Sequence, residues 1–366
     1  MRRLSQRAVE LYQENELIFT LAFFVGGFLF DVFTLSSIDD PFSIAQQFSY
    51  LSLIGGVLVI DLFEEHGRAI VPLRLRAVWQ YRRLLVHFCL GSLLSLYSLF
   101  FLKSASAFSS ILFVAGILGL LVFNELRTAR ESGAGLKFAL WGICVLSFFS
   151  ILFPVLLGFV GWIPFLLTVA VGTLGGELGF RGLRARGLEL ATLRKQYLWP
   201  LRGVAGAFFG LYVLGWIPPV PLSIEQIGIY HKVEKSQGKY IVSHERPWWK
   251  FWRVGDEQFL AYPGDQIYVF TRIFSPGSFS DEVRLLWSQK DPISGKWQVT
   301  DRIPVEITGG RKEGFRGFAV KSNFSEGLWR VAVESADGRE IGRTRFEVKR
   351  SSEPPPAERT FTREEY

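Results

Sequence analysis

The stretch that decides the architecture is Leu201–Leu222, LRGVAGAFFGLYVLGWIPPVPL. On its N-terminal side apolar residues come in long blocks; on its C-terminal side they alternate with charge. The stretch matches the length of about 20 apolar residues that carry a helix across a hydrocarbon core about 30 Å thick. Pro218, Pro219 and Pro221 stop it by fixing φ and removing donors. Two such regimes in one chain imply two domains with different solvents.

Working towards the N-terminus, six more apolar runs of spanning length follow: Leu17–Ile38, Phe42–Phe63, Leu84–Leu102, Phe108–Leu126, Lys137–Gly158 and Trp162–Phe180. The expectation is a membrane all-α block of about seven transmembrane helices within residues 17–223, behind a cytoplasmic segment 1–16. Arg2, Arg3 and Arg7 resemble a signal n-region. Glu10, Glu14 and Glu16 intervene, however, and the apolar run exceeds a signal core, so it reads as a retained helix. The two cysteines, Cys89 and Cys144, fall inside spans and offer neither a disulfide framework nor metal-type spacing. No metal or other cofactor is expected.

Orientation follows from charge. One set of connecting segments carries Arg68, Arg74, Arg76, Arg82, Arg83, Arg127, Arg130, Arg181, Arg184, Arg186, Arg194 and Lys195, together with the arginines of the N-terminus; the opposite set carries Lys103. Positive residues accumulate in cytoplasmic loops, so the N-terminus is placed in the cytoplasm of a bacterial inner membrane. With seven spans, the C-terminal domain is placed in the periplasm or outside the cell. The net charge of +7 is then a topology signal and no sign of nucleic-acid binding.

Each even-numbered span ends in acidic residues followed by arginine: Asp61, Glu64, Glu65 and His66 before Arg68; Glu125 before Arg127; Glu177 before Arg181. One reading is a carboxylate-lined cytoplasmic site for a proton, a cation or a partner. The favoured reading is interfacial charge, because Glu64–Arg68 and Glu177–Arg181 are spaced to pair on a helix. Ionisable residues deep in the spans are nearly absent, which weakens a transporter. Small residues such as Gly172 and Gly176 suit close helix packing.

From about Ile224 the chain reads as β structure, an immunoglobulin-like sandwich over 224–350 built from about seven short strands. Ile267–Phe274 alternates strictly. Val283–Ser288, Trp297–Thr300, Ile303–Ile307 and Phe315–Lys321 are further candidates. Trp329, Val331 and Val333 answer Thr344, Phe346 and Val348 across the turn signal Asp337–Gly338. Residues 351–366, with Pro354, Pro355 and Pro356, read as a disordered tail. Two features suggest binding. Trp248, Trp249, Lys250, Phe251 and Trp252 form an aromatic cluster, either an exposed platform for sugar rings or lipid headgroups, or a plug against the membrane block. Gly309–Arg316, with Arg311, Lys312 and Arg316, is a basic glycine-rich turn, either an anion site or an ordinary charged loop lacking the phosphate-loop pattern. No Gly-x-Ser-x-Gly elbow or His-Glu-x-x-His helix is present, and no catalytic constellation emerges.

The segment Pro218–His231, then Gly309-Gly310-Arg311, then Gly327-Leu328-Trp329-Arg330-Val331 with Asp337-Gly338-Arg339, resembles a bacterial family of multi-pass inner-membrane proteins. These end in a β-rich domain of unknown function, number twenty-nine fourteen. The resemblance implies the same layout and names no catalytic residue. The sequence thus favours a non-enzymatic envelope protein, whose outer domain binds a protein, a glycan or a lipid headgroup while membrane lipids surround its helices. A transporter or channel is the alternative. An enzyme acting on lipid-linked substrates through Asp61, Glu64, Glu65 and His66 comes third.

Overall fold

The structure is a computed structural model and describes residues 38–67, 71, 79, 82–125, 133–277, 279–309, 314–351 and 359–366, with only the backbone at Leu84, Asn124 and Glu125. Chain contacts divide it into two units. One holds the helices. The other holds 215–366 together with the stretches 103–111 and 153–165.

In the helical unit, α1 (Pro41–Glu65) begins where Asp40 accepts from the Ser43 amide at 2.9 Å, with Pro41 at the first position, where its missing donor costs nothing. It ends at Gly67, whose φ of +73° closes the helix. Then come α2 (Arg82–Ser104), α3 (Phe108–Glu125), α4 (Ala134–Leu157) and α5 (Trp162–Ala185). Four of these five, all but α3, are long and apolar enough to cross a membrane. Phe88, Leu156, Ile163, Leu174 and Leu178 are exposed on them, the surface expected of lipid-facing helices. The run Leu17–Ile38 lies outside the described residues.

The seventh expected span is corrected. The helical path starts earlier, with α6 (Leu190–Leu193) and a π turn (Arg194–Leu198) leading into α7 (Trp199–Val213). Pro200 has no N–H to continue the usual ladder there. The helix stops at Val213, capped by Gly215 at φ +70°. Ile217, Val220 and Leu222 extend the apolar run in sequence, but they are buried in protein, and Leu222 joins the core of the second unit. Hydropathy alone does not distinguish lipid from a protein core.

The second unit has eleven strands among the described residues: β1 (Ser223–Tyr230), β2 (Lys232–Ser236), β3 (Lys239–His244), β4 (Gln258–Ala261), β5 (Ile267–Phe274), β6 (Ser280–Lys290), β7 (Trp297–Thr308), β8 (Phe315–Lys321), β9 (Gly327–Ser335), β10 (Glu340–Arg350) and β11 (Thr362–Glu365). They form three sheets, ordered β1-β5-β8, β4-β10-β9-β6-β7 and β11-β3-β2. The first two pack face to face as a sandwich around Trp287, Trp329, Phe259, Phe346, Val269 and Ile273. The alternation read in β9 holds, with Trp329, Val331 and Val333 all buried. The runs Trp297–Thr300 and Ile303–Ile307 are one strand, and a bulge in the pairing between Trp287 and Ser288 explains the broken alternation. Val160 from the 153–165 stretch enters this core, and its amide donates to Asp281 at 3.0 Å. Ser106 donates to Glu340 at 2.9 Å.

The disordered tail is also corrected. Residues 352–358 lie outside the described residues, but β11 pairs antiparallel with β3, placing Thr362 opposite His244 and Glu365 opposite Ile241. The Tyr366 ring stacks on Phe270 at 5.6 Å.

Candidate functional site

The aromatic cluster occupies a short helical turn (Trp248–Lys250) and the residues after it, between β3 and β4. Trp248 is 90%, Trp249 51%, Phe251 80% and Trp252 60% exposed, so within the second unit the cluster is a surface feature. The rings do not lie in one plane. Trp249 and Trp252 sit 6.0 Å apart at 59°, and Phe251 and Trp252 5.2 Å apart at 83°. Lys250 lies 5.4 Å from the Trp249 ring, and Glu257 ties Lys250 (3.1 Å) and Arg253 (2.9 Å) to the base of the turn. The result is a projecting knuckle of four rings on a fixed, nearly charge-balanced base.

Of the basic turn, Arg311 and Lys312 lie outside the described residues. Arg316 falls on β8 and points its guanidinium over the Tyr240 ring at 5.7 Å.

In the helical unit the acidic helix ends are paired. Asp61 bonds Arg82, which also reaches Glu64 at 3.4 Å; Trp79 donates to Glu64 at 2.8 Å. The His66 ring contacts the Leu62 carbonyl at 2.7 Å. Glu177 pairs with Arg202 at 2.9 Å and with Arg181 at 3.7 Å. Among the described residues no ion pair joins Glu177 to the Asp61–His66 group, Glu65 included, and the Glu125 side chain lies outside them. A cavity of about 230 Å³ opens between α1, α4, α5 and α7, lined by Phe48, Trp141, Leu146, Gly172, Gly176 and Leu201 among others. Its lining has no ionisable group, the chemistry of an acyl chain and not of an ion. At Gly172 a Cβ would stand 2.6 Å from the end of the Leu146 side chain, a close approach of α4 and α5.

The sequence reading missed a buried polar cluster around His231. The His231 side chain is 3% exposed and stacks on Phe259 at 4.0 Å. Arg359, from the segment before β11, donates to Glu245 (2.6 Å), Asp265 (2.7 Å), the Leu260 carbonyl (2.8 Å) and His231 Nδ1 (3.2 Å), and lies 4.6 Å from the Tyr262 ring. A guanidinium only donates, so His231 Nδ1 is the acceptor and its proton sits on Nε2. That nitrogen faces Glu245 at 3.4 Å and Asp256 at 3.7 Å. Asp256 is 2% exposed, and the adjacent Gly255 takes φ +69° to deliver it. Burial, then the Arg359 charge, pushes His231 down to about 4. Burial pushes Asp256 up to about 7, against the hydrogen bond from the Glu245 amide. Near neutral pH the pair therefore holds a neutral imidazole beside a half-protonated carboxyl. Burial works against the Arg359 charge, but its bonds to Glu245 and Asp265 keep that charge firmly in place.

No curated protein matches the chain. An immunoglobulin-like protein from Pseudomonas aeruginosa is similar at 16% identity, covering 36% of this chain and 98% of its own, with a TM-score of 0.22. A β-glucosidase from Listeria innocua in complex with glucose matches at 12% identity over 25% of this chain and 15% of its own, TM-score 0.20. An alkylpurine DNA glycosylase from Pseudomonas fluorescens, bound to DNA containing an abasic site analog, matches at 8% identity over 86% of this chain and all of its own, TM-score 0.23. Such scores leave the strand pairing above as the basis of the fold. Of the motifs behind the family resemblance, Gly309–Arg311 and Gly327–Val331 with Asp337–Arg339 lie inside the matched region and Pro218–His231 lies before it. Residues 280–348, spanning β6 to most of β10, match the family described as Protein of unknown function (DUF2914).

Proposed function

We propose that the chain is a non-enzymatic integral protein of the bacterial inner membrane. Its N-terminus lies in the cytoplasm, about seven helices span the bilayer, and the β-rich domain on the periplasmic or exterior side engages the lipid headgroup layer through the Trp248–Trp252 turn. The single observation that carries the reading is the exposure of four aromatic rings within five residues, 51–90% each. Tryptophan is favoured at the headgroup level, where one end of the ring is apolar and the other wet. The ring angles of 59° and 83° argue for a knuckle that inserts and against a flat platform for a glycan chain.

The side assignment draws support from inside the second unit. Ser106 and Val160, which bond Glu340 and Asp281, belong to the two connections that the positive-charge count puts opposite the arginine-rich loops. That the domain holds both of these connections supports placing it on their side.

The test places a nitroxide at Phe251→Cys, in a Cys89→Ser, Cys144→Ser background, in liposomes. A label open to oxygen but shielded from an aqueous nickel complex supports insertion. A label as open to nickel as one at Ser294→Cys, on an exposed loop, overturns it and returns the cluster to a soluble protein or glycan partner.

A further inference from the structure

On the side of the five-stranded sheet that faces away from the sandwich core, three strands contribute arginines. Arg330 of β9 lies opposite Arg345 of β10 and Ser288 of β6; one step along, Arg343 lies opposite Ala332, Ala332 opposite Leu286, and Leu286 opposite Arg302 of β7. Like charges directly opposite across a strand pair destabilise a sheet. Arg343 is neutralised by Glu340 at 2.6 Å. Arg302, Arg330 and Arg345 form no ion pair among the described residues; Arg330 and Arg345 instead crowd the Trp297 ring at 4.8 and 5.8 Å. Burial, then Arg343 and Arg345, lowers the proton affinity of Arg330. Glu334, the neighbouring carboxyl on β9, has its pKa raised by burial and by Glu340, against the charges of Arg302, Arg330 and Arg284, and it offsets part of the positive charge here.

Two buried polar atoms on this face lack partners: the Arg330 Nε–H and the hydroxyl of Ser288, a residue only 1% exposed. Buried donors are normally satisfied. A donor and a hydroxyl at paired positions, with Arg345 opposite Arg330 and with Leu286 and Ala332 alongside, define a place for a missing acceptor.

We propose that this face is an oxyanion site that takes a phosphate group, held by Arg302, Arg330 and Arg345 with Ser288 beneath. A carboxylate has two oxygens, which one bidentate arginine satisfies; donors arriving from three strands match the three or four acceptors of a phosphoryl group. The site lies wholly within residues 280–348 and depends on neither the aromatic turn nor the membrane topology.

The test uses the full chain in phosphatidylcholine nanodiscs, titrated calorimetrically with inorganic phosphate and with glycerol phosphate. Wild type binds saturably. Arg302→Gln with Arg345→Gln, both exposed and safe for folding, raises Kd by about tenfold or more, as expected for losing two charge-assisted partners. Ser288→Ala raises it about threefold, the loss of one neutral hydrogen bond. Lys232→Gln with Lys239→Gln, an equal charge change on exposed side chains elsewhere, leaves it unaltered. Repeating the titration in phosphatidylglycerol nanodiscs separates the sources. Weakened phosphate binding there identifies a lipid headgroup as the occupant, and unchanged binding identifies a soluble phosphate compound. No saturable binding up to about 10 mM, or equal weakening by Lys232→Gln with Lys239→Gln, overturns the proposal.

Discussion

Asp256→Asn should convert a protein whose β2–β3–β11 sheet is nearly indifferent to pH into one that loosens in mild acid. His231 is depressed to about 4 from 6.5, so its contribution is present above pH 6.5 and lost as the pH falls towards 4. Asp256 is raised to about 7 from 3.8, so its contribution is present below pH 3.8 and lost as the pH rises through 7. Over pH 4–6.5 the two slopes oppose. At about 1.4 kcal/mol per pH unit, His231 alone is worth about 3 kcal/mol across that window and Asp256 about as much in the other direction. Wild type should therefore vary by about 1 kcal/mol or less, whereas Asp256→Asn, keeping the shape but losing the titration, should gain about 3 kcal/mol from pH 4 to 6.5. Hydrogen exchange of the β3 amides in the full chain, corrected for the intrinsic pH dependence of exchange, reads the opening free energy directly. A variant as flat as wild type would refute the linkage, and so would a wild type as steep as the variant.

Arg359→Ala should release β11 first. It removes charge-assisted bonds worth about 1.5–3 kcal/mol each before compensation, and the protection of amides in residues 362–365 should drop at least tenfold; unchanged protection would mean that strand pairing alone holds the segment. Trp329→Ala, in the centre of the sandwich, should cost about 3–5 kcal/mol, read as an earlier thermal transition of the β-rich unit in the full chain. Gly255→Ala and Gly264→Ala make a matched pair, with φ of +69° and +89°. At Gly255 a Cβ would stand 2.4 Å from the Ile229 carbonyl oxygen, whereas at Gly264 nothing lies within 4 Å. The second should cost about 1 kcal/mol of backbone strain, and the first clearly more, with displacement of Asp256. Equal melting temperatures would contradict this.

The sequence showed α1 to α5 because each is an unbroken apolar block, and it showed β5, β9 and β10 because their buried residues alternate with polar ones. It misread residues 214–222 because Ile217, Val220 and Leu222 are as apolar as a spanning helix while serving a protein interior. It missed β11, Thr-Arg-Glu-Glu, because that strand carries no apolar pattern. Its place is set by the free edge of β3 and by the anchors Arg359 and Tyr366, which are tertiary facts. The His231 cluster was hidden for a related reason. Its members come from five loops and strand ends, and Arg359 is 128 positions from His231. Only Gly255-Asp256, a carboxylate delivered by a left-handed glycine, left a local trace.

Three features of the β-rich unit stand differently towards the family match. The Trp248–Trp252 turn and the Arg359 cluster lie outside residues 280–348, so nothing in that match speaks to them. The arginine face lies inside it, on four of the five strands of one sheet, all but β4. β6 and β9 are already held by Val283, Leu285, Trp287, Trp329, Val331 and Val333 on their buried side. On the opposite side Arg330 faces Arg345, a like-charge pair that costs stability and that the Trp297 ring, Glu334 and Glu340 relieve in part. A like-charge pair above a buried, unpaired hydroxyl is the arrangement that an anion bound there would complete.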